Sequence, residues 1–197
     1  FCKSLDTILK QWPIKGIVWD EIKILHKMDY SPQAKAVLGE NMTHESHIDA
    51  TVKFFERLNA HIKGINPDIS ISLFLYTYFK GYLVERCAQM DGLDYFGCDG
   101  RPWAKGDAPD FQEQGKELVG QTEPFMEAAR SNNKKGLVLI ENLSVTSKHF
   151  ELLDRRMPDV LKLGAEHILY YYYPRNVDDP DTQMSIMAKH LKAAKGL

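Results

Sequence analysis

Apolar and polar positions alternate along this chain in a repeating rhythm. Residues 16–20, 69–76, 93–98, 136–140 and 167–173 are short runs rich in Ile, Val, Leu, Phe and Tyr, each bounded by turn residues. Between them lie longer stretches with apolar residues at helical spacing. Ile48, Val52, Phe55, Leu58 and Ile62 form one such face, closed by Gly64 and opened by a capping pattern of Ser46 with Asp49. Residues 3–11 read as a first helix stopped by Pro13. Further helices are expected over 79–90, 111–131, 146–162 (with Pro158 bending or breaking it) and 181–195. Residues 22–45 are too long for an ordinary strand-to-helix turn, and long loops in compact domains are often functional.

The order is therefore one helix followed by five strand–helix units. The strands are near-continuous in apolar residues, as in parallel sheets covered on both faces. The fold class is α/β with parallel βα repeats, and 1–197 reads as a single domain. Two architectures fit five units. An open five-stranded flavodoxin-like sheet is one, but it usually announces its ligand in short glycine-rich turns, and no GxGxxG or Walker sequence occurs here. The other is a partial (β/α)8 barrel, strands four to eight, forming the C-terminal portion of a larger barrel. That second reading is preferred, because the loops carry Trp, Tyr, Asp, Glu and Arg instead of glycine. The missing strands are then expected elsewhere, since a free half-barrel exposes sheet edges.

Composition narrows the function classes. With 44% hydrophobic and 26% charged residues, the chain of 197 residues is globular. A formal charge of −2 with interspersed signs offers no basic stripe, so nucleic acid is not an expected partner. Apolar runs fall far short of the roughly 20 residues that span a bilayer, so no membrane partner is expected either. Cys2, Cys87 and Cys98 have no CxxC spacing and are expected as buried free thiols. Phe1 in place of Met fits removal of an upstream segment; a secreted or periplasmic location is compatible with such removal, and localisation is left open. The sequons at Asn41 and Asn142 are read as chance occurrences, His44 and His47 lack a third metal ligand, and the acids around Pro180 are read as a helix cap. No cofactor and no metal are expected.

Polar chemistry collects where strands end. The first strand runs through Trp19 into Asp20 and Glu21, the third into Asp99, and the fourth into Glu141 and Asn142. A strand ending in Trp-Asp-Glu, followed three strands later by one ending in Ile-Glu-Asn, resembles the clan of retaining glycoside hydrolases built on TIM barrels. The resemblance implies an acid/base glutamate after barrel strand four and a nucleophile glutamate after strand seven, positions that fall on Glu21 and Glu141. Asp20 stands where the clan commonly has Asn. Two other pairings are similar to known families: Asp20 with Asp99, as in retaining α-glycosidases, and Asp20 with Glu21, as in hexosaminidases assisted by the substrate's acetamido group.

Every version needs one protonated and one ionised carboxyl, about 5–5.5 Å apart for retention or about 6.5–9.5 Å for inversion. Trp19, Tyr76, Trp103, Tyr171 and Tyr173 are expected to line the same mouth and stack on sugar rings, with Asn142, Arg175 and Asn176 binding hydroxyls. The expected function is cleavage of a glycosidic bond in a carbohydrate substrate. The alternative is a domain that binds a carbohydrate or other small ligand without cleaving it. Oligomeric state is open.

Overall fold

The structure is a computed structural model that describes residues 2–107, 116–171 and 176–196. Helix α1 (Cys2–Gln11) precedes strand β1 (Gly16–Asp20), a 3-10 turn (Lys23–His26), α2 (Pro32–Leu38) and α3 (His44–Ile65). Then come β2 (Ser70–Tyr76), α4 (Tyr82–Ala88), β3 (Tyr95–Ala104), β4 (Glu117–Val119) and α5 (Glu123–Ser131). The chain continues through β5 (Lys135–Glu141), a second 3-10 turn (Ser147–His149), α6 (Phe150–Leu161), β6 (His167–Tyr171) and α7 (Pro180–Ala194).

The main strands pair in the order β1-β2-β3-β5-β6, all parallel, and β4 pairs with β3 off this path. Sequential order without a reversal point excludes the 2-1-3-4-5 arrangement of an open doubly wound sheet. The sheet curls into a half-barrel with helices alternating along it. Successive right-handed βα crossovers lay each strand beside the last, so all strand C-termini emerge at one rim.

Side-chain alternation divides the sheet into two faces. Ile71, Leu73, Leu75, Phe96, Cys98, Val138 and Ile140 face outward and pack with Ile48, Val52 and Ile62 of α3, Phe125 and Met126 of α5, and Leu153 and Met157 of α6. The inner face is held by a smaller cluster of Phe74, Leu137 and Leu139, with Tyr95 and Leu169 against it. Close packing there needs a bare backbone at Gly97, where a Cβ would overlap the Leu137 carbonyl. The two outer strands are covered far less: β1 alternates exposed and half-buried positions, β6 has no buried residue, and Val18 is 42% exposed.

Local sequence explains the helix starts. Thr43 and Ser46 form a reciprocal capping box, so α3 starts three residues before the Ser46–Asp49 pattern suggests. Asp179 caps α7 and accepts from Thr182 N, with Pro180 at the first helical position, as the acids around that proline imply. The long segment after β1 is anchored, since His44 and His47 bond the carbonyls of Leu25 and Ile24 at 3.1 and 2.8 Å. That gives both histidines a structural occupation and buries Leu25 completely.

Four expectations about the fold need correction. In the region expected as a helix over 111–131, the described residues hold β4 and then α5; Glu117–Val119 is a strand because it pairs with the far half of β3, and Gly120 at φ +91° turns the chain out of it. The third strand does not stop near 98 but runs on to Ala104, with Gly100 allowing the close approach of Lys116 O. Pro158 sits inside an unbroken α6. Of the cysteines, Cys87 and Cys98 are buried and burial raises both thiols, Cys87 to about 12, while Cys2 is exposed. Among the described residues no helix is long and apolar enough to cross a membrane.

Candidate functional site

Three strand ends deliver carboxylates to one place. Glu21 after β1, Asp99 within β3 and Glu141 ending β5 are all buried, and each offers an oxygen within 4.8 Å of the other two. They border a cavity of about 600 Å³ at the C-terminal rim, shared with Asp20, Lys23, Tyr76 and Tyr171. Another groove, about 660 Å³ beside β6 and α7, is bordered by Ala165, Ile168, Ala188 and Leu191 and gathers no comparable set of acids.

Asp20 and Glu21 reach the same cavity by a backbone device. Consecutive strand residues point to opposite faces, so Glu21 would face the helices if β1 continued. The strand ends at Asp20, and Glu21 takes φ +38°, a left-handed conformation uncommon for a residue with a side chain. Its amide still donates to Phe74 O at 3.2 Å, which ties the turn to β2. Such strain clusters at functional sites, where surrounding structure holds it.

The acids are met by cations. Lys23 pairs with Glu21 and donates to Tyr76 Oη at 2.8 Å. Arg101 Nε lies 3.3 Å from Glu141 Oε2, and Lys116 Nζ lies 3.7 Å from Oε1. Burial, then Glu141 as hydrogen-bond acceptor and as negative charge, push the Asp99 carboxyl up to about 9, against the opposing pull of Lys116. Asp99 is thus protonated at neutral pH, and three carboxylates (Asp20, Glu21, Glu141) face three cations. Burial, then the Asp99 charge, lift Tyr76 to about 12, so its phenol keeps its proton. The oxygen donors of Glu21, Asp99 and Glu141 suit a hard divalent cation, but side-chain cations already balance their charge.

Placement of the remaining candidates is mixed. Tyr171 borders the cavity and is 40% exposed. Tyr76 borders it too, yet its ring stacks on Tyr78 at 5.0 Å and carries Lys116 Nζ 4.3 Å from its centroid, so it presents a hydroxyl in place of a free aromatic face. Trp19 does not line the cavity. Its ring meets Phe55 edge-on and its Nε1 donates to Asn59 Oδ1 at 2.9 Å on the helix side, the necessary result of Val18 and Asp20 facing inward. Trp103 is also elsewhere, wholly buried in the outer core because the strand carries on through it. Asn142 is buried and its carbonyl accepts from Gln183 Nε2 at 3.1 Å; at 2% exposure its sequon is closed in the folded chain. Asn176 donates to Ser144 Oγ at 3.3 Å. Tyr173 and Arg175 lie outside the described residues.

Lys23, Arg101 and Lys116 were not foreseen. Single cations in apparent loops carry no periodic signal, though Asp99-Gly100-Arg101 places acid and base two apart, on one face of any extended segment.

No family model and no curated protein sequence matches the chain. Among solved structures, the fold is similar to that of the endo-beta-1,4-mannanase from Thermotoga petrophila, with a TM-score of 0.52 and 13% sequence identity over 75% of this chain. The chain spans 40% of that enzyme's length. That similarity is one of fold, a curled parallel half-barrel of the TIM-barrel type.

Proposed function

We propose that this chain carries the carboxylates of a retaining glycoside hydrolase, with Glu141 as nucleophile and Glu21 as acid/base. The observation that carries this reading is the convergence of Glu21, Asp99 and Glu141 within 4.8 Å at the C-terminal rim of the half-barrel. Nearest oxygens within 4.8 Å of one another are compatible with the roughly 5–5.5 Å carboxyl separation of a retaining pair. The similarity in fold to a mannanase supports a carbohydrate substrate, and Tyr171 offers an exposed ring beside the acids. The chain is, on this reading, the C-terminal portion of the barrel.

In the first step Glu141, ionised and held by Arg101 and Lys116, attacks the anomeric carbon as the glycosidic bond breaks. Once Lys23, whose side chain is 64% exposed, has swung aside for the sugar, Glu21 takes up a proton from solvent and delivers it to the departing oxygen. Water, deprotonated by Glu21, then releases the sugar and restores both groups. Asp99, protonated, lies beside Glu141.

A second assignment rests on one observation. Asp99 is the protonated member of the set, so it competes with Glu21 for the acid role.

The test uses the full-length protein with aryl α- and β-glycosides and β-1,4-linked oligosaccharides, following release of reducing sugar. Cleavage that vanishes in Glu141→Gln is expected. Oligosaccharide binding by calorimetry without any cleavage would replace this reading with that of a binding domain.

A further inference from the structure

Arg101 reaches both a carboxylate and a backbone carbonyl. Its Nε lies 3.3 Å from Glu141 Oε2, and its Nη1 donates to the carbonyl of Leu143, two residues further along the same turn. It is 9% exposed; its contact with Glu141 is a buried ion pair in which Nε and Oε2 are not aligned for a hydrogen bond, whereas its contact with Leu143 is a hydrogen bond, so one guanidinium serves a charge and a carbonyl at once. Gln183 of α7 holds the carbonyl between them, that of Asn142.

The fold explains why an arginine stands there. β3 pairs with β5 up to Gly100↔Ile140, and continuing that register by one residue brings Arg101 level with Glu141. Asp99 and Arg101, two apart, lie on the same side of β3. Beyond Gly100 the backbone of Arg101 is taken over by β4: its amide donates to Lys116 O at 2.6 Å, and Arg101 pairs with Glu117. One strand thus presents a carboxyl and a guanidinium to the same glutamate, and the guanidinium is itself fixed by the switch of strand partner.

We infer that Arg101 is a positioning residue for Glu141, fixing with one guanidinium both its carboxylate and the backbone turn that follows it. The inference rests on Glu141 being the reacting carboxylate, as proposed above. Arg101 touches no reacting atom; it acts through Glu141. Other charged or titratable groups around Glu141 are Asp99 from β3, Lys116 beside β4, Asp20 and Glu21 from the end of β1, Lys23 from the 3-10 turn, and Tyr76 from β2. Tyr170 and Tyr171 border the same cavity from β6. Arg101 contacts both the carboxylate and the turn.

The test replaces Arg101 by Lys and, separately, by Gln in the full-length protein. It measures kcat and KM on an aryl glycoside across pH and solves the structure of each variant. A misplaced reacting group costs about 100-fold, so kcat is expected to fall by that factor in both variants. KM should stay within about threefold, because ground-state binding is untouched. The acid limb of the kcat profile should move to higher pH in Arg101→Gln and less in Arg101→Lys, which keeps the charge. Unchanged kcat and profile in a folded variant overturn the positioning role, as does a loss confined to KM. A wild type that cleaves no glycoside removes the proposed function alone. The variant structures then decide, and an unmoved Glu141 carboxylate and Leu143 carbonyl overturn the role. Failure of both variants to fold makes Arg101 a framework residue only, and also overturns it.

Discussion

Asp99 and Glu141, on neighbouring strands, bring carboxyl oxygens within 4.8 Å of each other next to the point where β3 leaves β5 and takes up β4 as its partner. Asp99 is the more deeply buried of the two and holds a proton at neutral pH, since removing a charge from water is hardest where burial is greatest. Both stability and activity depend on where that proton sits.

Stability should fall with rising pH on account of Asp99. Its carboxyl is raised from 3.8 to about 9, so between these values the folded state binds a proton that the unfolded chain has lost. Its contribution is full below about 4 and disappears as pH rises through about 9. Asp99→Asn, neutral at every pH, should therefore melt several degrees above wild type at pH 9 and close to it at pH 4. Melting curves across that range check this, and parallel curves for the two proteins would contradict it.

Activity separates the carboxylate roles. Glu141→Gln should stop turnover of every substrate, because no covalent intermediate forms. Glu21→Gln should lose about 10²–10⁴-fold on substrates with poor leaving groups and far less on activated aryl glycosides, whose departure needs no proton. Azide should then restore product formation as a glycosyl azide. If Asp99→Asn shows that leaving-group pattern and Glu21→Gln does not, the acid is Asp99. Full activity in both glutamate variants, with Asp20→Asn and Asp99→Asn inactive, transfers the chemistry to that aspartate pair.

The two aromatic residues at the ends of β1 and β6 should behave oppositely. Trp19→Phe leaves the buried Asn59 Oδ1 without its donor and should cost about 1–3 kcal/mol in urea unfolding, with KM unchanged. Tyr171→Ala should leave stability alone and raise KM for an oligosaccharide by about tenfold, the equivalent of one lost stacking contact. An unchanged KM in Tyr171→Ala would take the ring out of the binding surface.

Gly97 tests the inner face. A methyl group there collides with the Leu137 backbone, which belongs to the central ladder and has nowhere to move. Gly97→Ala should cost about 3 kcal/mol, the upper end of ordinary overpacking. Chemical denaturation measures it directly; a loss below the error of that method would mean that β3 and β5 can separate locally.

Much of this architecture was legible in the sequence. The runs at 16–20, 69–76 and 136–140 are apolar enough to announce strands wherever they sit, and their spacing left room only for helical crossovers. Legibility failed where tertiary pairing overrides local character. Asp99-Gly100-Arg101-Pro102 has the composition of a turn, yet it is strand because β4 and β5 pair along it; β4 itself is three residues long and gives no periodic signal. The acids at the rim were found because they end strong strand signals. Trp19 was misassigned for a reason the sequence contained: if Val18 and Asp20 face the cavity, the residue between them cannot.

The left-handed turn at Glu21 has a bearing on laboratory evolution. Glycine or asparagine adopts φ near +38° at lower conformational cost than glutamate, so the position is held against the chain's own backbone preference. A library screened for heat resistance alone should therefore enrich Glu21→Gly and Glu21→Asn in its first rounds. The survivors would be sturdier proteins with an empty place where a carboxylate had been, and only a screen that scores turnover alongside survival would keep the glutamate.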